Sequence, residues 1–113
     1  MPKDFLKIGG KEYRVEVNWN ALSEYLQFIG DDSYDGLANV GSMKPSQAPA
    51  LMAASINEGE RLEGRETHLS PKDVGAMIRP KDVEAFMKIY VRQSAAQVDE
   101  EEPKKEGGES QED

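Results

Sequence analysis

Hydrophobic and polar side chains alternate near the start of the chain, in two short runs that a pair of glycines separates. The runs cover residues 5–8 and 11–17, with Gly9 and Gly10 between them. In the second run the apolar side chains share one face of an extended strand; they are Tyr13, Val15 and Val17. The pattern predicts a β-hairpin. Because an isolated hairpin is marginally stable in water, its apolar face must pack against the rest of the chain.

A helical period replaces the alternation directly after the hairpin. Asn18 has the side chain of an N-cap, and apolar residues then recur three and four positions apart until Gly30, a residue type favoured just after a helix. These signals predict a first helix over residues 19–29. Trp19 opens the apolar stripe, which favours a place in the core. The alternative is an exposed anchor for a partner, because tryptophan is enriched at binding hot spots.

The middle of the chain carries weaker signals. Tyr34, Leu37 and Val40 lie three residues apart and predict at most a short helix over residues 34–40. A longer helix is predicted over residues 46–63, where a proline falls in the first turn and a glycine follows the last residue. The stripe along this helix consists of Leu51, Met52, Ser55, Ile56 and Leu62.

The clearest capping signal in the chain precedes its last two helices. Ser70 can cap a helix that starts with Pro71 and holds Asp73 in its first turn. Pro80 ends this short helix and opens a final one. The residues expected to face inwards are Val74, Met77 and Ile78 in the short helix, and Val83, Phe86, Met87, Tyr90 and Val91 in the final helix. A hairpin followed by four to five helices belongs to the α+β class.

The net charge of −8 is distributed unevenly over the 113 residues. Residues 99–113 hold eight acids, two lysines and no apolar side chain, a net charge of −6, whereas residues 1–98 hold 14 acids and 12 bases, a net charge of −2. We therefore expect one domain over residues 1–98 and a disordered acidic tail over residues 99–113. This balance disfavours nucleic-acid and membrane partners. The lack of cysteine fits a reducing, cytoplasmic compartment.

Side chains that could carry catalysis or hold a metal are few. The one histidine, His68, lies in a polar loop without a pocket signature. Residues 31–36 match the first half of a calcium loop, but Ser42 stands where that loop requires glutamate, so helix capping is the better interpretation. Residues 9–11 lack the spacing and the ending of a phosphate loop. We expect no catalytic residue, no metal and no cofactor, and predict that the chain is not an enzyme.

A protein partner is the interpretation that remains, and the helix predicted over residues 46–63 offers a broad apolar face. Leu51, Met52 and Ile56 are the predicted partner-binding residues, because methionine and leucine suit adaptable binding grooves. The final helix is expected to form the second wall of such a groove.

Two segments carry a resemblance to a known family. Leu6-Lys-Ile-Gly-Gly-Lys-Glu-Tyr-Arg-Val-Glu-Val17 leads at once into Trp19-Asn-Ala-Leu22 at the start of a helix. Leu69-Ser-Pro-Lys-Asp-Val74 then precedes the final helix. This order of hairpin, first helix, helical middle and late capped segment resembles the tail assembly chaperones of tailed phages, over about residues 6–97.

The resemblance implies a non-enzymatic chaperone that coats the tape measure protein, keeps it soluble in the host cytoplasm, helps to recruit the tail tube protein and is absent from the mature virion. Self-association into a homo-oligomer is compatible with such a role. Many relatives are made in a short and a frameshift-extended form, so the stretch from Asp99 would mark where the two products diverge. Two alternatives stay open: a small structural virion protein of the head–tail connector, and a regulatory adaptor that binds one protein target.

Overall fold

The computed structural model describes the backbone of residues 3–101 and the side chains of residues 3–94. Two antiparallel strands open the fold, β1 over Asp4–Ile8 and β2 over Lys11–Val15. Gly9 and Gly10 form the turn with φ angles of 58° and 79°, the left-handed region that favours glycine. The predicted hairpin is confirmed, and its apolar face is buried through Leu6, Ile8, Tyr13, Val15 and Val17.

The first helix, α1, runs over Trp19–Ile29 as predicted. Its N-cap is Asn18, whose Oδ1 accepts a hydrogen bond from the Ala21 amide at 3.0 Å. The core expectation for Trp19 is wrong, since 65% of its surface is exposed. The buried residues of α1 are Ala21, Tyr25 and Leu26. Leu26, two turns further along, lies about 20° around the axis from Trp19, so the exposure of Trp19 follows from its place at the end of the helix and not from the helix face.

A short helix, α2, follows over Tyr34–Ala38, so the weak signal in the middle of the chain does mark a helix. The Ser33 hydroxyl caps it by accepting a hydrogen bond from the Gly36 amide at 3.2 Å. Two 3-10 turns, Val40–Ser42 and Pro45–Gln47, then lead into the third helix. α2 therefore ends two residues earlier than the predicted 34–40, because the chain tightens into the first of these 3-10 turns.

The third helix, α3, runs over Ala48–Leu62 and lies at the centre of the molecule. It packs against α1, β2 and a later short helix, α4, over Pro71–Gly75. Every residue from 50 to 60 is buried, which is unusual for a helix in a small domain. The backbone of α3 also contacts the hairpin segment directly, since the Glu16 amide donates a hydrogen bond to the Ser55 carbonyl at 3.1 Å.

The last two helices are α4 over Pro71–Gly75 and α5 over Pro80–Glu101. The predicted capping at the start of α4 is confirmed, because Ser70 and Asp73 each accept the other's backbone N–H at 3.0 Å. Within the described residues the fold is therefore α+β, a hairpin followed by five α-helices, as predicted. α5 extends three residues beyond the boundary expected near Val98. The rest of the predicted acidic tail, residues 102–113, lies outside the described residues.

The final helix is fastened to the hairpin by Gln93. Its side-chain carbonyl accepts the Val17 amide at 2.7 Å, and its amide group donates to the Val15 carbonyl at 3.2 Å and to the Asp4 carboxylate at 2.8 Å. Arg92 forms a salt bridge with the same Asp4. Over residues 3–101, no helix combines the length and the apolar character needed to cross a membrane.

Candidate partner-binding surface

The three predicted partner-binding residues lie in the core. Leu51, Met52 and Ile56 are each 0% exposed, and they belong to the hydrophobic cluster that joins the hairpin to the helices. The expectation that they form an open face is therefore wrong. Small neighbours on α3, including Ala50, Ala53 and Ala54, are buried on its other sides. A stretch that is apolar on every side is typical of a central helix, and this signal distinguishes α3 from an amphipathic surface helix.

The final helix, expected to form the second wall of that groove, has one exposed apolar position. Val91 was expected to face inwards but is 60% exposed, while Phe86 on the same helix is buried. An open depression of about 420 Å³ surrounds Val91, between Met87 and the charged side chains of Lys88 and Arg92. It does not adjoin Leu51, Met52 or Ile56, because all three are closed off from solvent.

The carboxylates on the late turns of α3 have structural partners. Glu58 accepts hydrogen bonds from Nε and Nη2 of the Arg61 guanidinium group, each at 2.9 Å, from the Asn18 side chain at 2.7 Å and from the Asn20 side chain at 3.2 Å. The Arg61 bonds, helped by the two asparagines, lower the pKa of Glu58 from its ordinary 4.5 to about 2, against the opposing effect of burial. Glu58 therefore stays ionised and ties α3 to the cap of α1.

Glu58 is expected to make the fold acid-sensitive. Its pKa is lowered on folding, so its contribution is complete above pH 4.5 and is lost as the pH falls through about 2. Because Arg61 is largely exposed, we expect a contribution on the order of 2 kcal/mol. Glu58→Gln should lower the urea midpoint at pH 7 and flatten its pH dependence between pH 4.5 and 2. Glu66→Gln, at an exposed loop position, is the control. An unchanged pH profile in Glu58→Gln would contradict this role.

Glu60 is held in the same way. It accepts two bonds from Arg65, at 2.7 and 2.9 Å, and one from the Arg14 backbone amide at 2.9 Å. The Arg65 bonds lower the pKa of Glu60. Carboxylates kept ionised by arginine pairs are poor general acids at neutral pH, so neither glutamate has the poised pKa that acid–base catalysis requires.

The other side chains considered for chemistry are His68 and those of the turn over residues 31–36. His68 is exposed in the loop before α4, where it lines a pocket of about 260 Å³ together with Glu58 and Glu66. The turn over residues 31–36 caps α2: Ser33 donates to the Asp31 carboxylate at 2.6 Å and accepts from the Gly36 amide. The helix-capping interpretation of this turn is confirmed. Among the described side chains, no three histidines or acids are grouped closely enough to hold a metal ion.

A groove with exposed aromatic walls lies between α1 and α2. It has a volume of about 230 Å³. Its lining consists of Trp19, Leu26, Asp32, Ser33, Tyr34 and Leu37. Trp19 and Tyr34 are its most exposed large side chains, at 65% and 82%. We call this the aromatic groove.

The position of both aromatic residues in their helices explains their exposure. Trp19 is the first residue of α1 after the cap Asn18, and Tyr34 is the first residue of α2 after the cap Ser33. Side chains on a helix lean towards its N-terminus and normally cover the preceding turn. A residue in the first position has no preceding turn to cover, so its ring extends beyond the end of the helix. Two capped helix ends therefore place two rings beside one groove.

Sequence reasoning assigned Trp19 to the core and did not single out Tyr34 as a partner contact. The signal for their exposure was the pair Asn18-Trp19 and the pair Ser33-Tyr34, each a capping residue followed at once by a large aromatic. Neither the models of known protein families nor the curated proteins and solved structures show a match to this chain.

Proposed function

We propose that this chain is a non-enzymatic tail assembly chaperone of a tailed phage, which binds the tape measure protein, keeps it soluble and helps to recruit tail tube subunits. The observation that carries the protein-binding part is the aromatic groove, where Trp19 and Tyr34 are held in solvent on capped helices. The choice of client rests on the resemblance of residues 6–97 to that family.

The aromatic groove suits a protein partner better than a small ligand. Its volume of about 230 Å³ accommodates one or two side chains, whereas small-molecule sites are typically about 300 Å³ or larger. Large rings bury much apolar area with little loss of conformational entropy, and tryptophan and tyrosine are enriched among the residues that dominate binding energy. A client that inserts an apolar side chain between Trp19 and Tyr34 would remove both rings from water.

A contact of this size favours reversible holding. A single small groove gives a limited interface, and limited interfaces are typical of transient complexes. Transient binding is what such a chaperone needs, because it must leave its client before the particle is finished. A permanent component of the virion would need a larger buried area.

The test is coexpression with the tape measure protein encoded by the same phage. We expect that protein to be soluble with this chain and insoluble without it. Trp19→Ala combined with Tyr34→Ala should lose most of the effect while the domain stays folded, because both side chains are exposed. Val91→Ala, an exposed apolar residue on α5, is the matched control and should retain it. A tape measure protein that stays insoluble beside the unmodified chain would refute the proposed client.

Mass spectrometry of purified virions separates the proposal from its structural alternative. A chaperone should be absent from the finished particle, whereas a head–tail connector component should be present at a fixed copy number. A stable complex with one folded enzyme, at fixed stoichiometry, would instead favour the regulatory adaptor.

A further inference from the structure

The segment that supplies the aromatic groove carries acidic side chains and no basic one. Residues 19–43, which supply α1, α2 and every residue that lines the groove, contain four acids and no lysine or arginine. Three of them, Asp31, Asp32 and Asp35, lie in or beside the turn that leads into α2, whereas Glu24 lies at another pocket and accepts a hydrogen bond from Asn57 at 3.1 Å. The rest of residues 1–98 contains ten acids and twelve bases, a net charge of +2. The groove is thus on a negative part of a domain that is otherwise slightly positive.

The aspartates beside the groove remain exposed and uncompensated. Asp32 lines the groove, and Asp31 and Asp35 flank it in the same turn. Within residues 3–94, no salt bridge joins any of the three to a basic side chain. The buried acids of α3 differ in this respect, since Glu58 and Glu60 are each paired with an arginine. Negative charge at the groove is therefore available to a partner.

The aromatic walls of the groove also favour a positively charged partner. The faces of tryptophan and tyrosine rings carry negative potential and attract lysine and arginine, most strongly where water is excluded. The groove also has an apolar component, from Leu26 and Leu37, that can receive an aliphatic side chain. A partner that matches both features has an aliphatic residue for the groove and basic residues to either side of it.

We infer that the aromatic groove binds a cationic amphipathic segment of another protein, with an aliphatic side chain between Trp19 and Tyr34 and with lysine or arginine beside Asp32 and Asp35. The inference rests on the proposed protein-holding function and specifies the chemistry of the client segment. The acidic stretch of this chain itself, residues 99–113, has a net charge of −6 and is disfavoured as the occupant because the groove would repel it.

The single tryptophan makes the groove directly observable. Trp19 is the only tryptophan in the chain, so its fluorescence reports the groove without labelling. The probes are a synthetic amphipathic helix of leucine and lysine, and the same peptide with glutamate in place of every lysine. With the full chain, the leucine–lysine peptide should shift Trp19 emission to shorter wavelength in a saturable manner, and added salt should weaken the binding. The glutamate peptide should produce no shift.

Charge removal provides the matched comparison. Asp32→Asn combined with Asp35→Asn should weaken binding of the leucine–lysine peptide by about fivefold, as expected for the loss of two exposed charge contacts. Glu12→Gln combined with Glu66→Gln removes the same charge from exposed positions outside the groove and should leave the affinity unchanged. Far-UV circular dichroism of both pairs checks that each domain remains folded.

Several results would overturn the inference. Equal binding of both peptides, or unchanged affinity in the aspartate double variant, would show that charge does not select the partner. Trp19 emission that changes with protein concentration alone would identify a second copy as the occupant. A change in Trp19 emission of the peptide-free protein caused by Lys104→Ala combined with Lys105→Ala would identify the chain's own terminal stretch as the occupant of the groove.

The inference and the proposed function can fail separately. If the aspartate double variant keeps the tape measure protein soluble as well as the unmodified chain does, the chaperone role stands and the cationic client segment is wrong. If the leucine–lysine peptide binds with the expected selectivity but the tape measure protein stays insoluble, the partner chemistry stands and the client is a different protein.

Discussion

Replacing Gly59 by alanine is expected to destabilise the protein by about 3 kcal/mol or more, because α3 lies directly against β2 at this position. A β-carbon on Gly59 would lie 2.2 Å from the Arg14 carbonyl oxygen, 2.5 Å from the Arg14 carbonyl carbon and 2.9 Å from the Val15 amide nitrogen. All three are backbone atoms, so no side-chain rotation relieves the overlap. Helix and strand would have to separate.

Intrinsic helix propensity acts in the opposite direction at this site. Alanine is favoured over glycine in a helix interior by about 1 kcal/mol, so a helix without tertiary contacts would be strengthened by the substitution. The expected loss is therefore net of that gain. For a domain of this size it corresponds to a fall of roughly 12 °C or more in the thermal midpoint.

Gly75→Ala is the matched control, since Gly75 also lies in a helix, α4. A β-carbon there would meet only the Pro49 side chain, at 3.9 Å, which is an ordinary contact. We expect unchanged or slightly raised stability. Thermal and urea unfolding followed by far-UV circular dichroism measure both variants. A Gly59→Ala protein as stable as the unmodified one would show that α3 and β2 do not approach this closely.

The same close approach explains how the two-stranded sheet is completed. The Arg14 amide donates to the Glu60 carboxylate at 2.9 Å, and the Glu16 amide donates to the Ser55 carbonyl at 3.1 Å. α3 thus satisfies backbone donors that a third strand would otherwise satisfy, and it covers the outer edge of β2. Gly59 makes this possible because it has no side chain between helix and strand.

Features that depend on neighbouring residues could be predicted from the sequence. The Gly9-Gly10 turn, the cap Asn18 and the capping box at Ser70 each act over a few residues, and their geometry is as expected. The bounds of α1 followed from Asn18 and Gly30 for the same reason. Local hydrogen bonds and φ preferences fix such features without reference to the rest of the fold.

Features that depend on what packs around a helix could not be predicted in this way. Trp19 was predicted to lie in the core but is exposed to solvent, and Met52 was predicted to face a partner but lies in the core. An apolar stripe shows that a helix has a buried side, but it does not give the number of neighbours. Contacts from the hairpin, α1 and α4 surround α3, whereas Trp19, in the first turn of α1, borders the aromatic groove and stays 65% exposed. Gly59 is a similar case, because its role depends on a strand more than forty residues away.

Met52→Asp is expected to prevent folding. If Met52 lay on an open binding face, the same variant would fold and only its client binding would be weakened. Met52 is fully buried in the hydrophobic cluster, so the new carboxylate would lose its hydration. An ionised group in such a place, or a protonated one without hydrogen-bond partners, costs about 4 kcal/mol or more. A loss of this size is a large share of the total stability of a small domain. We expect weak or no cooperative unfolding and loss of client binding together.

Tyr34→Asp is the matched comparison, because it introduces the same carboxylate at a position that is 82% exposed. This variant should unfold cooperatively near the midpoint of the unmodified chain and yet fail to keep a client soluble, since one wall of the aromatic groove is gone. The two variants thus separate core from binding surface. If Met52→Asp folds normally and alone loses the client, the face of α3 opens during binding and the aromatic groove is not the site.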